Sequence, residues 1–162
     1  MRYFFAYFSI LPQLLLAQGE SLSVAGISLS HVVMEDSLEL TITAPTTGWV
    51  GVGFNQENNI VGSDLLLFHV VDDQIEGADL YVAGFGDPRS DESLGGQKSV
   101  RIISGSEYGR ETKVTFRIAL DNSDPYDFQH QPGVPLWLIL AYSTHDDFEH
   151  HSRLRKHVQH QF

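Results

Sequence analysis

From residue 18 onward the chain has no segment with a sustained 3.6-residue hydrophobic period. Apolar residues instead recur in short runs cut by clusters of Gly, Pro, Asn, Asp and Ser. A long amphipathic helix cannot be built from such a pattern, whereas short strands can. Candidate strands run from Leu22 to Leu29, Ser37 to Thr43, Trp49 to Asn55, Asp64 to Val71, Ala78 to Ala83, Ser99 to Ile103, Lys113 to Leu120, Leu136 to Tyr142 and Leu154 to His160. Leu38, Leu40 and Ile42 alternate with Glu39, Thr41 and Thr43, which gives one buried and one wet face. The runs from Asp64 and from Leu136 are apolar on both faces, so they are central strands or line a pocket on their second face. About nine short strands at this spacing predict an all-β, antiparallel sandwich with Greek-key links, in one domain.

The first residues have a different character. Arg2 precedes an apolar run from Tyr3 to Leu16, broken by Pro12 and Gln13, and the small residue Ala17 is followed by the polar Gln18-Gly19-Glu20. This is the three-part pattern of a signal peptide, so residues 1–17 are expected to be removed and 18–162 to form the domain. No later segment is apolar enough to span a bilayer, and the product is expected to be exported, periplasmic or secreted. The chain carries a formal charge of -11, with 21 Asp+Glu against 10 Lys+Arg. That balance excludes a nucleic-acid partner, because phosphate binding needs clustered cations. It suits a small-molecule ligand or a basic redox partner protein. The absence of cysteine excludes disulfides, thiolate metal sites, a thiol nucleophile and covalent haem attachment.

Four groups of residues could carry chemistry. In Gly48-Trp49-Val50-Gly51-Val52-Gly53-Phe54, glycines at alternate positions strip one strand face. That permits close approach of a flat ligand, or tight packing of a neighbouring sheet. Asp64, after Gly62-Ser63, reads as a binder of loop amides. His145, His150, His151, His157 and His160 crowd the C-terminal stretch, but their spacing matches no standard zinc motif. They read as solvated residues, with a copper- or zinc-binding accessory role as an alternative. His69, inside an apolar strand, reads as a hydrogen-bonded core histidine. Asp146-Asp147-Phe148-Glu149 reads as an acidic loop anchored by one Phe. No nucleophile elbow, phosphate loop or His-Glu-x-x-His pattern is present, so a binding or electron-transfer module is expected rather than an enzyme.

Gly48 to Phe54, followed by Val61-Gly62-Ser63-Asp64-Leu65, resembles the opening signature of DOMON domains. The similarity continues through Asp79-Leu80-Tyr81, Asp91 to Gly96, Val114 to Leu120 and Leu136 to Tyr142, and ends at Asp146-Asp147-Phe148-Glu149-His150-His151-Ser152-Arg153. The resemblance implies an immunoglobulin-like antiparallel β-sandwich that binds haem b for electron transfer or haem-linked sensing, or else a sugar or other small ligand. In the haem type, iron sits between a Met before the Gly-(Ser/Ala)-Asp strand and a His or Lys near the C-terminus. The second ligand maps onto His151, with His150 beside it, and the first maps onto Ile60, which cannot ligate iron. Met34, the one methionine outside the leader, would have to replace it. Otherwise haem would be five-coordinate on His151, near Trp49, Gly51, Gly53 and Trp137. Without haem, the same pocket would offer Trp49, Phe54, Trp137 and Tyr142 to a flat ligand.

Overall fold

The computed structural model describes residues 20–162. The expected leader, residues 1–17, therefore lies outside the described residues. β1 (Glu20–Val24) and β2 (Ile27–Val33) form a hairpin, followed by β3 (Ser37–Ala44), β4 (Val50–Asn55), β5 (Asp64–Val71), β6 (Gln74–Gly84) and β7 (Asp87–Ser90). One helical turn, α1 (Asp91–Leu94), precedes β8 (Arg101–Tyr108), β9 (Glu111–Ala119), β10 (Leu136–Tyr142) and β11 (Leu154–His160). The strands pair antiparallel into two sheets, in the orders β1-β2-β3-β9-β8 and β11-β10-β4-β5-β6-β7. This is the expected immunoglobulin-like sandwich.

The strand map departs from the expected one chiefly at two places, while β6 starts earlier and β8 runs further than expected. Residues 22–29 are not one strand but a hairpin turning at Ala25 (φ 51°) and Gly26 (φ 85°). A two-residue turn with both φ positive matches strand twist. Ala is an uncommon residue there, so only Gly26 signalled the turn. No strand is expected over β7, where Pro88 removes a backbone donor, and the fold tolerates this proline because β7 is an edge strand.

The core is made by the inward positions of both sheets. Leu38, Leu40 and Ile42 on β3 face Val52 and Phe54 on β4 and Leu138 and Leu140 on β10 in one buried cluster. Phe68 of β5 stacks on Phe116 of β9, with ring centroids 4.6 Å apart, and so ties the two sheets together. Burying each such side chain contributes ~1.5–3 kcal/mol. On the wet face of the five-stranded sheet, Arg117 donates to Glu39 at 2.7 Å and Thr41 pairs with Thr115 at 2.9 Å. Both are directly opposed pairs in the β3–β9 register, so they reinforce it.

At one end of the sandwich, His130 is 6% exposed and neither ring nitrogen has a partner. It meets Phe54 edge-on at 4.7 Å. Burial pulls its pKa from 6.5 down to about 4. Between those two values the unfolded chain takes up a proton that the native state refuses. Stability is therefore complete above pH 6.5 and declines on acidification through this window. His31 and His160 are shifted in the same direction, also chiefly by burial. His130→Leu is expected to remove up to ~1.4 kcal/mol per pH unit of that slope. Urea unfolding of both proteins at pH 7 and pH 5 measures it, and parallel slopes would refute the assignment.

Candidate functional site

β4 places Val50, Val52 and Phe54 in the core and turns Gly51 and Gly53 to the outer face of its sheet. Among the described residues no second sheet covers that outer face, yet it is apolar. Trp49, Leu67 and Ala141 are buried on it, packed with Leu65, Leu80 and Phe148. The two strands that read as apolar on both faces, β5 and β10, are the ones that build it, one on each side of β4. The glycines keep its floor low. A Cβ on Gly51 would come within 2.5 Å of Leu67 Cδ2, and one on Gly53 within 3.3 Å of Ile139 Cβ.

The loop between β10 and β11 folds back over this face. Its start is held to the strand before β4: Trp49 N donates to His145 O at 3.0 Å and Ser143 N to Trp49 O at 2.9 Å. Thr46 Oγ1 donates to the Ser143 carbonyl as well. His69 Nδ1 donates to the Asp146 carbonyl at 2.7 Å, and its ring lies 4.8 Å from Phe148. Phe148 thus anchors the acidic loop as expected. His69 is hydrogen-bonded, but it sits on the outer face under that loop and not between the sheets.

Between the loop and the β6–β7 turn lies a cleft of about 280 Å³. Small-molecule sites typically start near ~300 Å³. Its lining includes Trp49, Leu65, Leu67 and Ile139 of the outer face, His150 and His151 of the β10–β11 loop, and Ile60 and Phe85 of the β4–β5 and β6–β7 connections. His150 donates from Nδ1 to Asp147 Oδ2 at 3.1 Å and stacks on His145 at 4.2 Å. The Glu149 amide and this imidazole hold the Asp147 carboxyl below its ordinary pKa. No hydrogen bond among the described residues engages the His151 ring, which leaves both nitrogens available. Trp49 Nε1 is buried without an acceptor among the described residues. Arg155 adds a cation to the lining.

Of the residues singled out in the sequence, Trp49, Ile60, His150 and His151 meet at this cleft, over Gly51 and Gly53. Trp137 is on β10 with Ile139 and Ala141, pairs with Asn55 and Gln159, and lies outside the cleft. Met34 does not approach it: it sits between β2 and β3 in the other sheet, 37% exposed, where Ser37 Oγ donates to its sulfur at 3.6 Å. The sandwich core separates the two, so a Met34 iron ligand is ruled out for this cleft. Phe54 and Tyr142 also fail as ligand platforms. Phe54 is 0% exposed and Tyr142 packs on the same inter-sheet core. The C-terminal histidines do not gather into a copper or zinc site. His157 donates to Asn58 Oδ1 at 2.8 Å, whereas His160 lies 5.2 Å from His31 at the sandwich end. Leu65, Leu67, Ile139, Phe85 and Arg155 were not singled out in the sequence, and only the two-faced strands hinted at the first three.

The DOMON domain family matches residues 25–143 of this chain. A curated relative, MOXD1 homolog 2 from Drosophila melanogaster, is 29% identical over 93 residues, which is 57% of this chain. The chain spans only 12% of that relative's length. The sandwich is similar to the cytochrome b domain of pyranose dehydrogenase from Coprinopsis cinerea, with a TM-score of 0.61 and 11% identity, covering 83% of this chain and 76% of that one. It is also similar to the cytochrome domain of Myriococcum thermophilum cellobiose dehydrogenase, with a TM-score of 0.64 and 13% identity, covering 88% and 81% of the two chains. At these identities the solved structures establish the shared fold alone. With nearly three-quarters of its length matched by the family, this chain belongs to the DOMON domain family.

Proposed function

We propose that the chain is an exported haem-b-binding module, and that its cleft on the outer face of the six-stranded sheet takes the porphyrin with His151 as iron ligand. One observation carries this reading: an imidazole free of hydrogen bonds and Ile60 line a single apolar cleft above a glycine-stripped strand. The residues present fit the group. Gly51 and Gly53 let Leu67 and Ile139 lie close over β4, which lowers the floor of the cleft, and the Arg155 cation suits the carboxylates of the group. Leu65, Leu67 and Ile139 exclude water from its apolar body. Ile60 has no donor atom, so His151 would be the cleft residue that holds the iron. Haem b held there would supply one-electron chemistry. The charge of -11 steers such a module toward a basic redox partner.

A second reading rests on the size of the cleft and on Ile60. A volume of about 280 Å³ suits a smaller flat molecule, such as a sugar lying on Trp49. Titration of the purified protein with haem separates the two. A Soret band saturating at one haem per chain, together with a higher melting temperature, supports haem. A colourless protein stabilised by a sugar and not by haem would transfer the assignment to the second reading.

A further inference from the structure

The inner face of the same sheet holds a second set of groups that the cleft does not use. Asp64 opens β5 and Asp79 lies on β6, both at the end of the sandwich that the β9–β10 connection covers with Asp127. Asp64 is 6% and Asp79 4% exposed. One oxygen of each carboxylate is tied down. Phe128 N donates to Asp64 Oδ2 at 3.0 Å, Ser99 N to Asp79 Oδ2 at 2.8 Å, and Ser99 Oγ to Asp127 Oδ2 at 2.7 Å. The other oxygen, Oδ1 in all three, is buried and has no partner. A fourth acid, Asp91, is 0% exposed and lies in hydrogen-bond contact with Asp127, with no other donor to either of its oxygens among the described residues. Among the described residues no Lys, Arg or His forms an ion pair with any of the four.

Buried carboxylates without a counter-charge are costly, and each pins its neighbours' charges in a medium of low dielectric. Burial pushes the Asp64, Asp79 and Asp91 carboxyls above their ordinary range, and the surrounding acids add to it. The arrangement is nevertheless built, not accidental, because backbone amides from two separate loops orient the tied oxygens. We propose that Asp64, Asp79 and Asp127 bind a hard divalent cation, Ca²⁺, which clamps the β9–β10 connection to the six-stranded sheet. Each offers an oxygen within 4.8 Å of those offered by the other two. Two oxygens on one Ca²⁺ at ~2.3–2.6 Å stand up to ~5 Å apart, so the span fits. The donor set is all oxygen, with no imidazole or thiolate, which selects a hard ion over zinc or copper. Mg²⁺ fits less well, since it demands near-ideal octahedral geometry and sheds water reluctantly. A cleft of about 350 Å³ lined by Asp64, Asp127 and Tyr81 borders the cluster. Asp91 stands by as a neutralised or outer-sphere acid.

Calorimetric titration of the chelator-treated full protein with CaCl₂ tests this independently of any haem. One Ca²⁺ per chain is expected, with a Kd below ~1 mM and a rise in melting temperature. Asp127→Asn is expected to weaken binding at least ten-fold. In chelator the same variant should melt at or above the parent, because one of several crowded charges is gone. Asp64→Asn, in the second cluster position, should lose the Ca²⁺ response in the same way. No saturable uptake by the parent protein would overturn the proposal and leave protons alone as the neutralising species. Uptake unchanged in both variants would overturn it equally.

Discussion

Replacing His151 with Ala is expected to abolish the Soret band of the haem-loaded protein while leaving its unfolding transition without haem unchanged. The two halves of this result come from the same geometry. His151 is exposed and makes no hydrogen bond among the described residues, so its side chain contributes little to folding. The same freedom leaves its nitrogens available to iron. Loss of groups that merely orient a metal ligand costs ~10–100-fold in affinity, and loss of the one protein ligand costs more. His150→Ala is the natural control, since its ring is already engaged by Asp147 and stacked on His145. That variant should keep its haem. Ile60→Met is expected to change the absorption spectrum of the haem-loaded protein, because a thioether then lines the same cleft as His151. A Soret band that survives in His151→Ala would refute the ligand assignment.

Gly48→Ala is expected to destabilise the protein by about 3 kcal/mol, the upper end of the usual cost of overpacking. A Cβ there would come within 2.5 Å of the His145 nitrogen and 2.7 Å of the His145 and Ser143 carbonyl oxygens. These are backbone atoms at the root of the loop that carries His150 and His151, so they cannot move aside like a side-chain tip. Relief requires the loop to lift, breaking the bonds between Trp49, His145 and Ser143. Stability and ligand binding should therefore fall together, with a drop of roughly 10 °C in melting temperature. Gly51→Ala is the contrast. Its close neighbour is Leu67 Cδ2, the end of a flexible side chain, so the fold should persist while the cleft floor rises. Thermal melts of both variants with and without haem decide the matter, and a Gly48→Ala protein as stable as the parent would refute it.

The glycine motif shows how far local pattern reaches. Alternate glycines announced a stripped strand face, and the structure has one. Pattern alone could not say whether a second sheet or a ligand would approach it. That depended on Phe54 and Val52 facing inward against Leu40, which turned Gly51 and Gly53 out. The same parity removed Phe54 and Tyr142 from the list of exposed aromatic faces and retained Trp49. Ala25-Gly26 was missed as a turn because alanine carries no signal for a positive φ. The acids at 64, 79, 91 and 127 were missed as a group because nothing in their spacing relates them.

The sequence by itself determined the all-β sandwich, the family and some residues of the cleft, among them Trp49, Ile60, His150 and His151. These follow from period-2 alternation and turn chemistry, which act between near neighbours in the chain. The tertiary structure alone decided which apolar face became core and which became cleft. It also brought His151 to the same cleft as Ile60, and Asp127 to Asp64 and Asp79. Those outcomes depend on strand register and on how the β10–β11 and β9–β10 connections fold back. Register and loop path are set by contacts between distant segments, for which no local pattern stands.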